Sequence, residues 1–393
     1  MLSKPSKIFS LMQSKKLRIA FFGDDFSRRG RGTALVIQKI VKQLVEHHSD
    51  TVEVVLLRPA GACRSPVCGR VQHVIIPRRF STLLSYLWFF VTHRERYDTV
   101  VFNRVLYPGF FLFRVKKRIV ILHDASISEI YVVPRTPVNH LFEFFIRLQR
   151  SFVDIAIGVS NDASKHIQSY FGFAENKTRT LYLSAGDEYR IFSDSEKETA
   201  SRMLKEKFGI NRPYVLDVSR FDPHKNIERV LDAFSIVKNK GQPHSLVLVG
   251  GAHTAGYSSM IEEKIRASRF RDEIQVLDYV EEIDMPALYA CADMLLYPSL
   301  VEGFGLPILE AMKSGTPVVT SNISCLPEIA GGAALLVDPL IPREIAEGVT
   351  RIINDKSLRA SLVKAGHTRA ADFSWGKSAD VFMGLVSSTF QQR

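Results

Sequence analysis

Two glutamates, Glu302 and Glu310, are separated by seven residues around the predicted start of a helix. Between them, the turn 303–305 contains two glycines, which let the backbone approach a ligand because glycine accepts backbone angles that other residues resist. Pro307 fits an early helical position, where a missing N–H is tolerated. Free amides at a helix start attract phosphate, and carboxylates accept hydrogen bonds from hydroxyl groups. The pattern therefore predicts a site for a molecule with sugar at both ends and phosphate between them, which describes a nucleotide-sugar.

Two cations, Arg220 and Lys225, lie in a loop that follows a predicted strand and precedes a helix starting near Asn226. Positive charges there would neutralise a diphosphate, and they would stabilise the leaving nucleotide most as its charge grows. Taken alone, the loop would be read as a solvated surface turn. The nearby pattern of glutamates favours a phosphate clamp instead.

Three stretches together resemble the retaining glycosyltransferases of family GT4, which have the GT-B fold. They are residues 299–332, which resemble the family's motif of two glutamates flanking seven residues, and residues 218–226 and 245–251, which are similar to its basic clamp and to the strand and glycine turn that follow. Their order and spacing cover roughly residues 210 to 345. The first 190 residues resemble the family only loosely.

The resemblance implies a role for each residue of the motif. Glu310 would hold the ribose hydroxyls, and Glu302 would lie beside the donor sugar, nearer the reacting carbon. Phe304, Gly305 and Leu306 would offer backbone amides to the phosphate or the sugar. For a single glutamate, interaction with the helix dipole would be explanation enough, but it does not account for the whole glycine-rich pattern.

His123 ends an apolar predicted strand and precedes Asp124. It resembles the first-domain histidine that approaches the donor sugar in the family, where it would support positive charge at the anomeric carbon. The alternative is a structural histidine bonded to the backbone. Asp124 would either orient His123 or cap a helix.

The first loop, residues 23–33, lies where a Rossmann strand leads into its first helix, and its Gly30 and Gly32 would let amides reach a phosphate. A glycine loop alone is weak support. This loop departs from the family form, which pairs adjacent glycines and continues Ile-Gly-Arg. Its arginines, Arg28, Arg29 and Arg31, would contact an anionic acceptor.

Strand and helix patterns alternate along all 393 residues, a length that favours two domains. Such alternation predicts parallel sheets with helices on both faces. We therefore predict an α/β fold of the GT-B type, with two Rossmann-like domains facing a cleft: residues 1–190 on the acceptor side and residues 191–376 binding the nucleotide-sugar. The polar segment Asp187–Glu206 is the predicted linker. The resemblance implies that a last helix, within 377–393, packs back on the first domain.

The expected elements of the first half are strands Leu17–Phe22, Val52–Leu57, His73–Ile76, Thr99–Phe102, Ile119–Leu122, Ile155–Val159 and Thr180–Leu183, with helices Thr33–His47, Thr82–His93, Val138–Phe152 and Asp162–Phe171. Those of the second half are strands Tyr214–Val218, Leu246–Val249, Ile274–Leu277, Met294–Tyr297, Pro317–Thr320 and Ala334–Val337, with helices such as Ile227–Lys238, Ser258–Ser268 and Leu306–Ser314.

Charge is unevenly distributed, because residues 1–190 hold 29 lysines and arginines against 15 acidic residues, whereas the remainder holds 23 against 26. The excess predicts an anionic partner for the first half. No nucleic-acid motif is present, so peripheral contact with an anionic membrane is favoured over nucleic acid, and plain solubility is the alternative.

The longest apolar run, Leu83–Val91, is too short to span a bilayer. No signal peptide is evident, and four cysteines fit a reduced cytoplasmic protein; Cys63 and Cys68 lack the further ligands of a metal site.

These observations predict a cytoplasmic enzyme that moves a hexose from a nucleotide-sugar to a hydroxyl of a growing glycan or lipid-linked acceptor, with the retention that the resemblance implies. The motif region most resembles bacterial mannosyltransferases of surface polysaccharides, so GDP-mannose is the first donor and a UDP-hexose the second. No metal or other cofactor is expected, since the chain has no Asp-x-Asp pair. The alternatives are a nucleotide-sugar epimerase of the same fold and a non-catalytic nucleotide-sugar-binding subunit.

Overall fold

The computed structural model describes residues 16–22, 32–59, 70–76, 82–103, 114–123, 144, 147–148, 150–252 and 254–388. These residues form two parallel β-sheets whose strands alternate with α-helices. The predicted fold class, two Rossmann-like units with parallel sheets, is confirmed. None of the described helices is long and apolar enough to cross a lipid bilayer.

The first sheet has seven parallel strands in the order β3-β2-β1-β4-β5-β6-β7. The strands are β1 (Leu17–Phe22), β2 (Val52–Pro59), β3 (Gln72–Ile76), β4 (Tyr97–Phe102), β5 (Val115–Leu122), β6 (Ile155–Gly158) and β7 (Thr178–Thr180). The helices described in this half are α1 (Gly32–His47), α2 (Thr82–Thr92) and α3 (Asn161–Ser169).

The central strands of this sheet are apolar on both faces because helices cover both sides. In β1, Ile19 and Phe21 belong to one buried cluster, whereas Ala20 and Phe22 belong to the other. Successive side chains of a strand point to opposite faces, so a strand buried on both sides has a continuous apolar sequence. This is why β1 could be predicted to the residue.

The second sheet has six parallel strands in the order β10-β9-β8-β11-β12-β13. The strands are β8 (Tyr214–Val218), β9 (Ser245–Val249), β10 (Ile274–Leu277), β11 (Met294–Tyr297), β12 (Val318–Ser321) and β13 (Leu335–Val337). The helices of this half are α4 (Asp194–Phe208), α5 (Ile227–Asn239), α6 (Ala255–Ala267), α7 (Met285–Cys291), α8 (Leu306–Lys313), α9 (Leu326–Ala330), α10 (Pro342–Asn354), α11 (Lys356–Ala371) and α12 (Trp375–Ser387). The strand order reverses between β8 and β11, and ligands of such sheets bind beyond the strand ends at this switch point.

The last helix, α12, packs against α1 of the first half. The rings of Phe382 and Phe21 are 5.7 Å apart, and the ammonium of Lys117 donates to the carbonyls of Leu385 (2.6 Å) and Val386 (3.0 Å). A cation at a helix C-terminus satisfies carbonyls that have no partner within the helix. Lys117, one of the basic residues expected from the sequence to contact an anionic membrane, is therefore buried under the last turn of α12, unlike its exposed neighbours Arg114 and Lys116.

Some boundaries differ from the prediction. The predicted linker contains helix α4, whose start carries a capping box in which Ser193 and Glu196 bond each other's backbone N–H. The strand expected over Thr180–Leu183 lies earlier, as β7. The last helix begins at Trp375, after the cap Ser374, rather than at Lys377. Most of the predicted helix Val138–Phe152, together with Cys63 and Cys68, lies outside the described residues, and the division at residue 190 stays a prediction.

Candidate active site

The loops that follow β8 and β11 carry most of the predicted donor-site residues. Arg220 and Lys225 follow β8, while Glu302 and the turn 303–305 follow β11. Because β8 and β11 are neighbours at the switch point of the second sheet, both loops lie at the same edge. The fold thus gathers residues that are about 80 positions apart in the chain.

Lys225, Glu302 and Tyr297 form a closed triangle of hydrogen bonds. The Lys225 ammonium donates to Oε1 of Glu302 at 2.5 Å and to the Tyr297 hydroxyl at 3.0 Å, and that hydroxyl donates to the same Oε1 at 2.6 Å. The Lys225 and Glu302 side chains are only 14% and 10% exposed. Charge-assisted bonds at these distances and in such surroundings are strong.

The charge state of Glu302 follows from this triangle. Burial raises the pKa of Glu302, but the charges of Lys225 and His224 and the hydrogen bonds from Lys225 and Tyr297 outweigh it, so the pKa lies below its usual range. Glu302 is therefore a carboxylate at neutral pH, able to accept hydrogen bonds from a sugar.

The glycine turn has a conformation that only glycine supports well. Gly305 has φ +89°, and a Cβ there would lie 2.8 Å from Cδ2 of Leu326. Gly305 is the N-cap of α8 and Leu306 is its first residue, in the region where helix amides have no partner within the helix. The ring of Phe304 is buried edge-on against Phe373, at 5.9 Å.

Glu310 lies one turn further along α8 in a different environment from Glu302. The Tyr289 hydroxyl donates to its Oε2 at 2.6 Å. Burial raises the pKa of Glu310 to about 7, and Glu188 adds to the rise, whereas hydrogen bonds from Tyr289 and Tyr189 lower it. Two tyrosines therefore orient this carboxylate.

Arg220 is exposed and lies near Asp222, with Nη2 and Oδ2 3.7 Å apart. The loop that carries it is held by a close approach of two backbones. Gly250 has φ +124°, and a Cβ there would lie 2.9 Å from the carbonyl carbon of Ser219. The Phe221 N–H also donates to the carbonyl of Gly251, at 2.8 Å. Contacts with the glycine turn after β9 thus fix the backbone of the loop that follows β8. The Arg220 guanidinium is exposed to solvent.

In the first half, His123 directly follows β5, and its Nε2 lies 2.6 Å from Oδ1 of Asn103, which directly follows β4. The structure places this pair at the carboxyl edge of the first sheet. Gly32 begins α1. Gly30, the loop arginines Arg28, Arg29 and Arg31, and Asp124 lie outside the described residues.

Sequence reasoning missed four groups that contact the predicted residues, namely Tyr297, Tyr289, Tyr189 and Asn103. It also missed Asp217, whose charge interacts with those of Lys225 and Glu302. Tyr297 and Asn103 were visible only as polar residues at strand ends, a weak signal. Asp217 is fully buried near the end of β8, and neither of its carboxylate oxygens has a hydrogen-bond partner among the described residues. Burial raises the pKa of Asp217 to about 7, against the lowering effect of the nearby Ser219 hydroxyl and of Lys225.

The described residues bring no three histidine, cysteine, aspartate or glutamate side chains together in an arrangement that could hold a metal ion. Lys225 and Arg220 are the cations that the structure places at the switch point of the second sheet. The arrangement can therefore bind an anionic group at Arg220 and Lys225 and hydroxyl groups at Glu302 and Glu310.

Comparison with known proteins gives a consistent result. Residues 201–369 match the family described as Glycosyl transferases group 1. Over 273 residues, the chain is 28% identical to O-antigen chain mannosyltransferase B of Escherichia coli, covering 68% of this chain and 70% of that protein. It is 26% identical to the serotype-specific mannosyltransferase WbdA of Escherichia coli, over 68% of this chain but only 32% of WbdA, a much longer protein.

Solved structures share the fold at low identity. The Anabaena HepE protein, in complex with UDP and glucose, has a TM-score of 0.75 and 19% identity over 95% of this chain and 100% of its own. WaaG, a glycosyltransferase involved in lipopolysaccharide biosynthesis, has a TM-score of 0.71 and 16% identity over 94% of this chain and 99% of its own. The matched domain, the mannosyltransferase relatives and this shared architecture show that the chain is a glycosyltransferase of the GT-B fold, similar to those of family GT4.

Proposed function

We propose that this enzyme transfers a hexose from a nucleoside diphosphate sugar to a hydroxyl of a growing glycan or lipid-linked acceptor. The contact between Lys225 and Glu302 at the switch point of the second sheet is the observation that supports this most. A cation for the diphosphate and a carboxylate for the sugar hydroxyls are adjacent there, which suits a ligand whose sugar is bonded to a diphosphate. Mannose from GDP-mannose is the proposed donor, because the relatives are named as mannosyltransferases.

The residues divide the donor between them. Arg220 and Lys225 bind the diphosphate, and Glu310, oriented by its tyrosines, binds the ribose hydroxyls. The amides at the start of α8 approach the phosphate or the sugar, where the positive end of the helix dipole favours an anion. The amides of Gly30, which lies outside the described residues, and of Gly32 are the proposed contribution of the first half to phosphate binding.

The reaction proceeds with retention at the anomeric carbon. The acceptor oxygen attacks from the face that the diphosphate leaves, the bond between the anomeric carbon and the phosphate oxygen breaks, and the departing phosphate takes the acceptor's proton. Arg220 and Lys225 stabilise the growing negative charge on the phosphate, so no metal ion is required. His123, held by Asn103, supports the positive charge at the anomeric carbon.

A UDP-hexose is the second candidate donor. HepE, whose fold is similar, was solved with UDP and glucose. A nucleotide-sugar epimerase of this fold would act without an acceptor, and a binding subunit would show no turnover at all.

Thermal unfolding in the presence of GDP-mannose, UDP-glucose, GDP and UDP tests the donor. A ligand at 100 times its Kd stabilises a protein by about 2.7 kcal/mol, so the correct donor raises the Tm clearly. Lys225→Ala should abolish the shift, whereas Glu263→Gln, whose side chain is 80% exposed on α6, should keep it. If UDP-glucose alone raised the Tm, UDP-glucose would replace GDP-mannose as the proposed donor.

Transfer is tested with labelled GDP-mannose and an alkyl α-mannoside as the acceptor. We expect an α-linked product whose formation depends on the acceptor, with the anomeric configuration read by NMR. Turnover of the donor without an acceptor would point to the epimerase, and a β-linked product would overturn retention.

A further inference from the structure

Lys225 is already engaged by a negative partner. Two of the three protons of a lysine ammonium can be assigned, one to Glu302 and one to Tyr297. Both of these partners are buried, because the whole residue is only 8% exposed for Glu302 and 1% exposed for Tyr297. A phosphate that arrives at Lys225 must therefore compete with a short, shielded ion pair.

Breaking such a pair is costly. When one partner of a buried ion pair leaves, the other charge stays buried without compensation. A free diphosphate adds more negative charge and offers no donor to Glu302, whereas a sugar hydroxyl offers one.

We propose that Glu302 withholds Lys225 from free nucleoside diphosphate and releases it only to a diphosphate that still carries its sugar. This inference rests on the proposed function, because the sugar of the donor compensates Glu302 when Lys225 turns to phosphate. Tyr297 is a positioning residue in this exchange, since its hydroxyl bonds the same Oε1 and retains Glu302 after the ammonium has moved. The consequence is that the enzyme binds donor more tightly than the spent nucleotide, so product leaves after transfer.

The first test is isothermal calorimetry with GDP and with inorganic pyrophosphate. Glu302→Gln keeps the side-chain shape but removes the charge that holds Lys225. We expect this variant to bind both ligands about tenfold more tightly than wild type, equivalent to ~1.4 kcal/mol, and to turn over more slowly. Glu310→Gln is the matched control, and it should weaken GDP binding without changing pyrophosphate binding, because pyrophosphate has no ribose.

A double-mutant cycle separates withholding from simple repulsion between Glu302 and phosphate. In a Lys225→Gln background, Glu302→Gln should no longer tighten pyrophosphate binding, because there is no ammonium left to release. An equal gain in both backgrounds would mean repulsion alone and would overturn the inference.

The ratio of the Kd of GDP to that of GDP-mannose gives a second measurement that needs only the single variant. It should exceed one in wild type and fall in Glu302→Gln; an unchanged ratio would also overturn the inference. If wild type binds no nucleotide at all, with or without sugar, it is the proposed function that fails.

Discussion

Two glutamates of one helix start, Glu302 and Glu310, have pKa values shifted in opposite directions. Glu302 is kept ionised by Lys225 and His224, whereas burial outweighs the tyrosines at Glu310 and brings its pKa to about 7. Carboxylates whose environments separate their pKa values commonly have different roles. The opposite pKa shifts therefore support two different roles, with Glu302 near the reacting carbon and Glu310 binding the ribose.

Kinetics of the two glutamine variants test that division. We expect Glu302→Gln to lower kcat more than donor affinity, because it loses a contact strongest in the transition state, and Glu310→Gln mainly to raise KM. Steady-state rates over a range of GDP-mannose concentrations measure both. Indistinguishable kinetics in the two variants would contradict the assignment.

Asp217 gives a prediction about stability and pH. Its carboxyl has a folded pKa of about 7 against a usual value near 4, so the folded state holds a proton that the unfolded chain has lost between these values. The contribution of Asp217 to stability is therefore greatest below about pH 4 and falls as the pH rises to about 7, by roughly 1.4 kcal/mol for each unit of pKa difference. Asp217→Asn should raise the Tm at pH 8 and change it little near pH 4.

Thermal unfolding at several pH values measures this effect. Asp187→Asn is the control, because the Asp187 side chain is fully exposed and the substitution should change the Tm equally at each pH. A destabilised Asp217→Asn variant at pH 8 would show that the charged carboxylate has a partner that offsets its burial.

At the scale of elements, the start of α3 joins the two halves. Glu328 of α9 accepts from the N–H groups of Asn161 (2.8 Å) and Asp162 (3.2 Å), and from the hydroxyl of Tyr182 (2.7 Å). The Ser160 hydroxyl, fully buried, donates to the carbonyl of Gly303 at 2.8 Å. The first half therefore contacts both the glycine turn 303–305 and helix α9 through the N-terminus of α3, where the helix dipole is positive.

Glu328→Gln should destabilise the protein by about 1 kcal/mol, because it removes the negative charge at the N-terminus of α3. For a chain of this size we expect the Tm to fall by ~2 °C. Glu263→Gln, an exposed carboxylate on α6, is the matched control and should leave the Tm unchanged. Equal Tm values for the two variants would mean that Glu328 contributes nothing to the contact between the halves.

At the scale of the whole molecule, the charge excess of the first half remains to be explained by a partner. Arg114 is exposed and the Lys116 side chain is 66% exposed, although Lys116 also pairs with Asp98 at 2.7 Å. On α2, Leu87 and Val91 are exposed apolar residues. We propose that this combination serves peripheral contact with an anionic membrane, where a lipid-linked acceptor would be found.

Sedimentation with liposomes tests the membrane proposal. Binding to anionic vesicles should fall steeply with salt, because exposed charges are screened beyond about 8–10 Å near physiological ionic strength. Arg78 and Arg79, basic neighbours in the first half that lie outside the described residues, are further candidate contacts. Reversing the charges of Arg78, Arg79, Arg114 and Lys116 should release the protein while donor binding persists, since the clamp lies in the other half. Equal pelleting on neutral and anionic vesicles would exclude the proposal.

The sequence by itself determined the order of the strands, the two-sheet architecture and the motif that identifies the enzyme class. These follow from local patterns, such as the apolar run of β1 and the glycine turn before α8, whose signals lie within a few residues. The tertiary structure alone decided which side chains meet. Tyr297 joins Lys225 to Glu302, Lys117 lies beneath α12, and Ser160 reaches Gly303, 143 residues away. Contacts of this kind depend on strand order and on packing between distant segments, and burial then sets the pKa values, so no local pattern could have predicted them.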